Sequence, residues 1–175
     1  CYAINVGLNY TGIITQASAL IVGAGGIEIN GGTFTGATQS ISNSGNFKQT
    51  GGAFTNTSGT HEVTATGINA DTWLVSAGTH THNSGTVKVN GTLAAIINNS
   101  AARQFNHLEI NTSGTTSGTF FVDGNFTRTL GTTLDADISL KGDYLPLAGG
   151  TSSAGTGIVR FTAGVAGQSF SYSYA

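Results

Sequence analysis

The chain nearly repeats itself every 19 to 20 residues, and few folds accept such a period. Gly31-Gly32-Thr33-Phe34-Thr35 returns twenty positions later as Gly51-Gly52-Ala53-Phe54-Thr55. Gly26-Ile27-Glu28-Ile29 lines up with Asn46-Phe47-Lys48-Gln49 at the same offset, and Gly59-Thr60-His61 recurs nineteen positions on as Gly78-Thr79-His80. A fixed period of this length marks a solenoid, in which each repeat is a coil too thin to bury its apolar face alone. Short alternations such as Ile27-Glu28-Ile29, Val87-Lys88-Val89 and Leu108-Glu109-Ile110 place one set of side chains inward and the other outward on half-buried strands. Asn30-Gly31, Asn90-Gly91, Ser44-Gly45, Ser58-Gly59, Ser84-Gly85 and Ser113-Gly114 supply the corners, where positive φ is cheap for Gly and tolerated by Asn.

These signals predict an all-β fold, a parallel β-solenoid with coils of about 20 residues. Inward residues are expected to stack from coil to coil as a core ladder of Phe34, Phe54 and Leu74, together with Ile27 and Phe47. The rival fold is an antiparallel β-sandwich or jelly roll completed by a partner's strand, in which Asn-Gly would close hairpins instead of coil corners. The chain reads as a single domain over 1–175. Residues 1–25 form an N-terminal cap or joining strand, 26–140 the repeat region, and 141–175 an irregular C-terminal region with a terminal strand. Eight or nine coils at ~4.8 Å per rung would make a rod roughly 40 Å long. Leu93 to Phe105 is the one candidate for a short helical turn. Asn98 to His107 reads as an insertion, Tyr144-Leu145-Pro146-Leu147 as a break, and Gly124-Asn125-Phe126-Thr127-Arg128-Thr129 as an echo of Gly45-Asn46-Phe47-Lys48-Gln49-Thr50.

Only 8% of residues are charged and the net charge is −2. Six dispersed basic residues make no footprint for nucleic acid, which needs a clustered basic surface. No apolar run approaches the ~20 residues of a membrane helix. Polar character rests on Thr, Ser and Asn, whose groups hydrogen-bond without the desolvation cost of ions. Low net charge also gives little repulsion between copies, so self-association is expected. Cys1 is the sole cysteine, which removes an internal disulfide. It has two readings, the lipid-bearing first residue of a processed bacterial lipoprotein or the arbitrary start of a fragment.

Gly85-Thr86-Val87-Lys88-Val89-Asn90-Gly91 is followed by Phe105-Asn106-His107-Leu108-Glu109-Ile110-Asn111-Thr112-Ser113-Gly114 and by Phe121-Val122-Asp123-Gly124-Asn125-Phe126-Thr127. This wording resembles the repeats of bacterial surface and secreted β-solenoid proteins, the broad group of adhesins and filamentous-haemagglutinin-like passengers. The resemblance spans roughly Gly26 to Leu140. It implies an extracellular or cell-surface location and a structural or adhesive role, and it brings no catalytic residues.

Several constellations invite chemistry. His61 and His80 read as equivalent repeat positions, with His82 on the face of His80, which suggests either a zinc or copper site or a surface ladder of polar rings. Asp135 and Asp137, flanked by Asp123 and Asp143, suggest calcium ligands or the paired carboxylates of a glycosidase. A coil without aromatic platforms and long inserted loops favours solvated carboxylates, so no catalytic residue, metal or cofactor is expected. Asn9, Asn56, Asn90, Asn98, Asn111 and Asn125 open Asn-X-Ser/Thr triplets, potential glycan sites on an exported chain. Rows of Thr on one face would order water, but Thr33-Phe34-Thr35, Thr64-Ala65-Thr66 and Thr79-His80-Thr81 do not all read in one register.

The leading expectation is an exported structural subunit that polymerises with itself into a filament, sheath or appendage. Its partner is another copy of the same chain. Tyr2, Ile4 and Val6 at one end and Phe170, Tyr172 and Tyr174 at the other are alternating strands suited to insert into a neighbour. The alternatives are a glycan- or surface-binding adhesin module, and a polysaccharide-degrading enzyme on the same scaffold.

Overall fold

The computed structural model describes residues 1–65, 71–90, 97–112, 114–128, 131–146 and 155–162, with 97–104 and 146 as backbone only. They form no helix, only eighteen short parallel strands wound into a β-solenoid of about six turns. The first coil consists of β1 (Ala3–Val6), β2 (Ile13–Thr15) and β3 (Leu20–Val22), and the second of β4 (Gly26–Ile29), β5 (Thr33–Thr35) and β6 (Ile41–Asn43). In the next four coils the first two strands fuse into one nine-residue strand that runs through its corner. These pairs are β7 (Phe47–Thr55) with β8 (Thr60–Val63), β9 (Trp73–Thr81) with β10 (Thr86–Asn90), β11 (Ile97–Phe105) with β12 (His107–Asn111), and β13 (Gly114–Val122) with β14 (Phe126–Arg128). The chain continues through β15 (Thr132–Leu134), β16 (Asp137–Leu140), β17 (Tyr144–Pro146) and β18 (Val159–Phe161).

Each coil therefore has three faces. The first two share an eleven-stranded sheet, and the third is a seven-stranded sheet in the order β17-β14-β12-β10-β8-β6-β3. Every strand pair among the described residues is parallel and joins successive coils. The antiparallel jelly roll is thereby excluded. Seven rungs on the third face imply a stack about 29 Å tall at ~4.8 Å per step.

The repeat holds its sequence period at the start and then departs from it. Phe34 pairs with Phe54, a step of 20, but Phe54 pairs with His80, a step of 26. Farther on the coils tighten, and Glu109 pairs with Thr127, a step of 18. The six extra residues between β8 and β9 move Leu74 off the expected ladder. It sits on the first face, pairs with Lys48, and points outward while its neighbours Trp73 and Val75 are buried. His80 takes the place beside Phe54 instead. The ladder itself is real in its first two members. Phe34 and Phe54 stack with centroids 5.1 Å apart, and Phe54 lies 5.4 Å from the His80 ring. On the first face Ile27, Phe47 and Trp73 pair in turn, with Phe47 and Trp73 stacked at 4.1 Å. Full burial of each such ring contributes about 1.5–3 kcal/mol, so the aromatic column is the mechanical spine of the early coils.

Other sequence expectations are corrected by the same pairings. Ile97 to Phe105, placed in a candidate helical turn, is strand β11, whose ladder with β13 slips between Asn99 and Arg103. Tyr144-Leu145-Pro146 breaks nothing, because β17 pairs in register with β14. Proline is tolerated there because, among the described residues, this strand lies at the edge of the sheet. The echo at Phe126 lies on the third face, whereas Phe47 lies on the first. Residues 1–25 carry three strands that pair with the second coil.

Outward positions sort by face. On the first face Glu28 accepts from Asn5 Nδ2 at 3.1 Å and from Lys48 Nζ at 2.9 Å. On the third, Glu62, Lys88 and Glu109 alternate in charge, with Lys88 Nζ 3.4 Å from Glu109. The second face carries two columns over the first four rungs, Ile13-Thr33-Ala53-Thr79 and Thr15-Thr35-Thr55-Thr81. Two of the three Thr-X-Thr triplets thus fall into one register after all, because the 26-residue step realigns them.

Candidate functional site

Among the described residues the first rung exposes the most apolar surface. Five of the eight large exposed hydrophobic side chains lie within its residues: Tyr2 (75% exposed), Leu8 (78%), Tyr10, Ile13 (70%) and Ile21 (71%). Ile13 and Ile21 are outward positions of strands whose inner residues, Ile14 and Leu20, pack against the core yet remain partly open. Nothing among the described residues lies over that side of the core. The backbone edge is open as well. Asn30 N–H bonds to Val6 O, Thr33 N–H to Gly12 O and Ser44 N–H to Val22 O, which fixes the residues that face the second coil. By alternation, the peptide groups of Ala3, Asn5, Ile13, Thr15 and Ile21 face away from it. The Cys1 amino group, 2.9 Å from Ile21 O, occupies one of these acceptors, and the Cys1 thiol is exposed beside it.

This geometry corrects part of the insertion expectation. Ile4 packs against the core and Val6 is buried within it, so neither is free to fill a pocket in a neighbour. What the first rung offers is its strand edge and its outward apolar residues. Phe170, Tyr172 and Tyr174 lie outside the described residues.

The histidines are not a surface ladder. His61 is fully buried on the third face between Ile41 and Val87, while His80 points inward from the second face. Both rings meet Phe47, Phe54 and Trp73. Each is oriented by a buried amide. His61 Nδ1 donates to Asn56 Oδ1 at 3.1 Å, and His80 Nδ1 to Gln49 Oε1 at 3.0 Å. Because an amide oxygen only accepts, the proton of neutral His61 sits on Nδ1, and its Nε2 is left buried without a partner. Burial first, and the nearby His80 second, push the His61 pKa down to about 3. The buried amides were the feature least visible in the sequence. Gln16 Nε2 bonds to the carbonyls of Ser18, Gln39 and Ser40 while its Oε1 accepts from Ala37 N–H, so it staples two coils. At the far end the buried Arg128 donates from Nε to the Tyr144 hydroxyl and from Nη1 to Thr132 O at 2.8 Å.

His82 stands apart, 3.5 Å from Asp123, which also pairs with Lys141. Asp135 and Asp137 each serve the following rung. Asp135 accepts from Thr156 N–H at 2.8 Å, and Asp137 from Ile158 N–H and Arg160. The Arg160 guanidinium holds the Asp137 carboxyl below its usual range, helped by the Ile158 N–H. Among the described residues no three His, Cys, Asp or Glu side chains come together to hold a metal, and no helix is long and apolar enough to cross a membrane. Of the potential glycan sites, Asn9 is exposed. Asn56 is buried, with Oδ1 bonded to Thr57 N–H and His61, so a glycan there would require the coil to unfold. Asn90 donates to Glu62 and Asn111 to Glu109, while Asn125 Oδ1 accepts from Asp143 N–H. The Asn98 side chain lies outside the described set.

The fold defines a parallel β-solenoid repeat protein. The chain matches no family model, no curated protein and no solved structure.

Proposed function

We propose that this chain is a structural β-solenoid subunit that works outside the cell and extends by stacking copies end to end. The observation that carries this reading is the first rung, where an unpaired parallel edge coincides with the densest exposed apolar surface of the described residues. An edge of that kind accepts another strand unless something caps it. The occupant that fits is the last rung of a second copy. Its strands would continue the same parallel direction, and the exposed Ile158 and Phe161 would add apolar surface at the joint. Such a head-to-tail contact is heterologous and does not close on itself, so it yields a filament. The scarcity of charge and the likeness to exported surface repeats support the location.

The test uses proline at positions whose N–H faces the open edge. Ala3→Pro with Ile21→Pro leaves the pairing to the second coil intact while removing two donors from the edge. Wild-type protein is expected to form larger species with rising concentration in sedimentation velocity and ordered fibres in electron microscopy. The proline pair should remain monomeric with an unchanged circular dichroism spectrum. Ile21→Lys, which charges the apolar surface without touching the backbone, should weaken assembly in the same way. A wild-type chain that stays monomeric at millimolar concentration would defeat the proposal, as would proline variants that polymerise normally.

A further inference from the structure

The second face of the first four rungs differs from the other two in what it shows to water. Its outward positions hold threonine, one isoleucine and one alanine, and no charge, whereas both neighbouring faces carry Glu and Lys in the same coils. The six threonine hydroxyls of the two columns have no hydrogen-bond partner among the described residues. Elsewhere the chain uses its hydroxyls internally. Thr57 Oγ1 donates to Ala37 O at 2.9 Å and Thr132 Oγ1 to Thr112 O at 2.6 Å. The open columns are also held stiffly from behind, since the inward residues between them are the stacked Phe34, Phe54 and His80, the last fixed by Gln49.

The spacing of this array suits tetrahedral water. Two oxygens bonded to one water at ~2.75 Å and the tetrahedral angle lie about 4.5 Å apart. Successive rungs place equivalent positions ~4.8 Å apart, a gap that a single water can span in the Thr15-Thr35-Thr55-Thr81 column. Across the strand the two columns are about 6.7 Å apart, two residues at ~3.3 Å each. The methyl groups between them favour water that bonds to other water, because they offer it no partner. Charged side chains, which would impose a different hydration geometry, are missing from the array.

We propose that this threonine face binds ice, holding a planar net of water that a crystal surface can extend. A crystalline polysaccharide is the competing ligand for a flat regular face. The columns themselves hold no aromatic ring or carboxylate, and the single exposed Tyr10 ring lies at their margin beside Gly12 and Gly32, too little of a platform for a sugar chain, so ice is favoured.

The test measures partitioning of the full chain into slowly grown polycrystalline ice, beside an inert protein in the same solution, with microscopy of single ice crystals. Wild-type protein is expected to be enriched in the ice fraction and to facet the crystals. Thr35→Lys with Thr55→Lys should return the partition to that of the inert protein. Thr35→Val with Thr55→Val, which keeps the shape and removes the hydroxyls, should weaken it. Ser42→Lys on the third face should leave enrichment unchanged. Circular dichroism and melting curves establish that each variant is folded. Running the series also in the Ala3→Pro, Ile21→Pro background separates ice binding from polymer formation. Wild-type exclusion from ice overturns the proposal, as does equal loss in the Ser42→Lys control. Binding to crystalline cellulose or chitin in place of ice would assign the face to polysaccharide instead.

Discussion

His61 shows how a polar side chain can sit at the centre of a β-solenoid without disrupting it. Its ring supplies an edge to Phe47 at 5.4 Å, its Nδ1 proton is taken by Asn56, and its neighbours across the rungs are Ile41 and Val87. Nothing around the ring compensates a positive charge, since its ring contacts are Phe47, Phe54 and Trp73. The folded chain therefore keeps His61 neutral to about pH 3, while the unfolded chain binds a proton near pH 6.5. Unfolding takes up that proton between the two values. The contribution is full above pH 6.5 and is lost as pH falls toward 3, at up to about 1.4 kcal/mol per unit. Chemical denaturation at several pH values should show this decline in the wild type. His61→Leu should flatten it, because Asn56 Oδ1 still accepts from Thr57 N–H and leaves no orphaned acceptor. An identical acid slope in the variant would show that other groups set the pH dependence.

At the level of the element, corners decide whether coils can stack. Ser58-Gly59 and Ser84-Gly85 are successive corners between the second and third faces, joined by the bond from Thr86 N–H to Gly59 O at 2.9 Å. A Cβ added at Gly85 would lie 2.1 Å from Thr57 O and 2.6 Å from Gly59 O, both backbone atoms of the coil below. Gly52 has a further constraint, a φ of +57°, at which a side chain costs roughly 1–2 kcal/mol. Gly85→Ala should lower the melting temperature and loosen β8 and β10 together, which exchange-rate measurements on Val63 and Val89 would detect. The opposed case, Gly7, has nothing within 4 Å of its missing Cβ and should accept alanine with little change. Corners and strands were legible in the sequence because each leaves a local mark, a Gly pair or an alternation. The 26-residue step was not, because register belongs to two strands at once and residues 64–72 carry no apolar period to announce an enlarged coil. Counting by twenty consequently placed Leu74 above Phe54. Ranking by hydrophobicity also put histidine outside, although Gln49 and Asn56 supply the inward partners that make its burial cheap. The first rung's exposed edge was legible as an alternating strand at the terminus. That Ile4 and Val6 turn inward was not, since alternation gives two faces without saying which is buried.

Along the whole described stack the core stays apolar, and its ring contacts are densest in the early coils. In the second to fourth coils the inward residues include Phe34, Phe47, Phe54 and Trp73 in mutual ring contact. In the later coils Phe105, Phe120, Phe126 and Tyr144 continue the core with fewer ring contacts, beside buried Thr112, Thr116, Thr132 and Arg128 tied by hydrogen bonds. The coils also shrink, from a step of 26 at Glu62 to Lys88 to a step of 18 at Thr127 to Leu145. In a stack where each rung touches only its neighbours, stability is a sum of local terms, and the rungs with least apolar burial open first. Exchange of backbone amides should therefore be slowest around β5, β7 and β9 and faster around β14 to β18. Phe54→Ala removes a ring shared by the second, third and fourth coils, at a cost of about 3–5 kcal/mol. It should raise exchange at β5 and β9 on either side while leaving β14 and β16 nearly unchanged. Equal acceleration along the entire stack would mean that the rungs unfold as one cooperative unit, and that the late coils are as firmly held as the early ones.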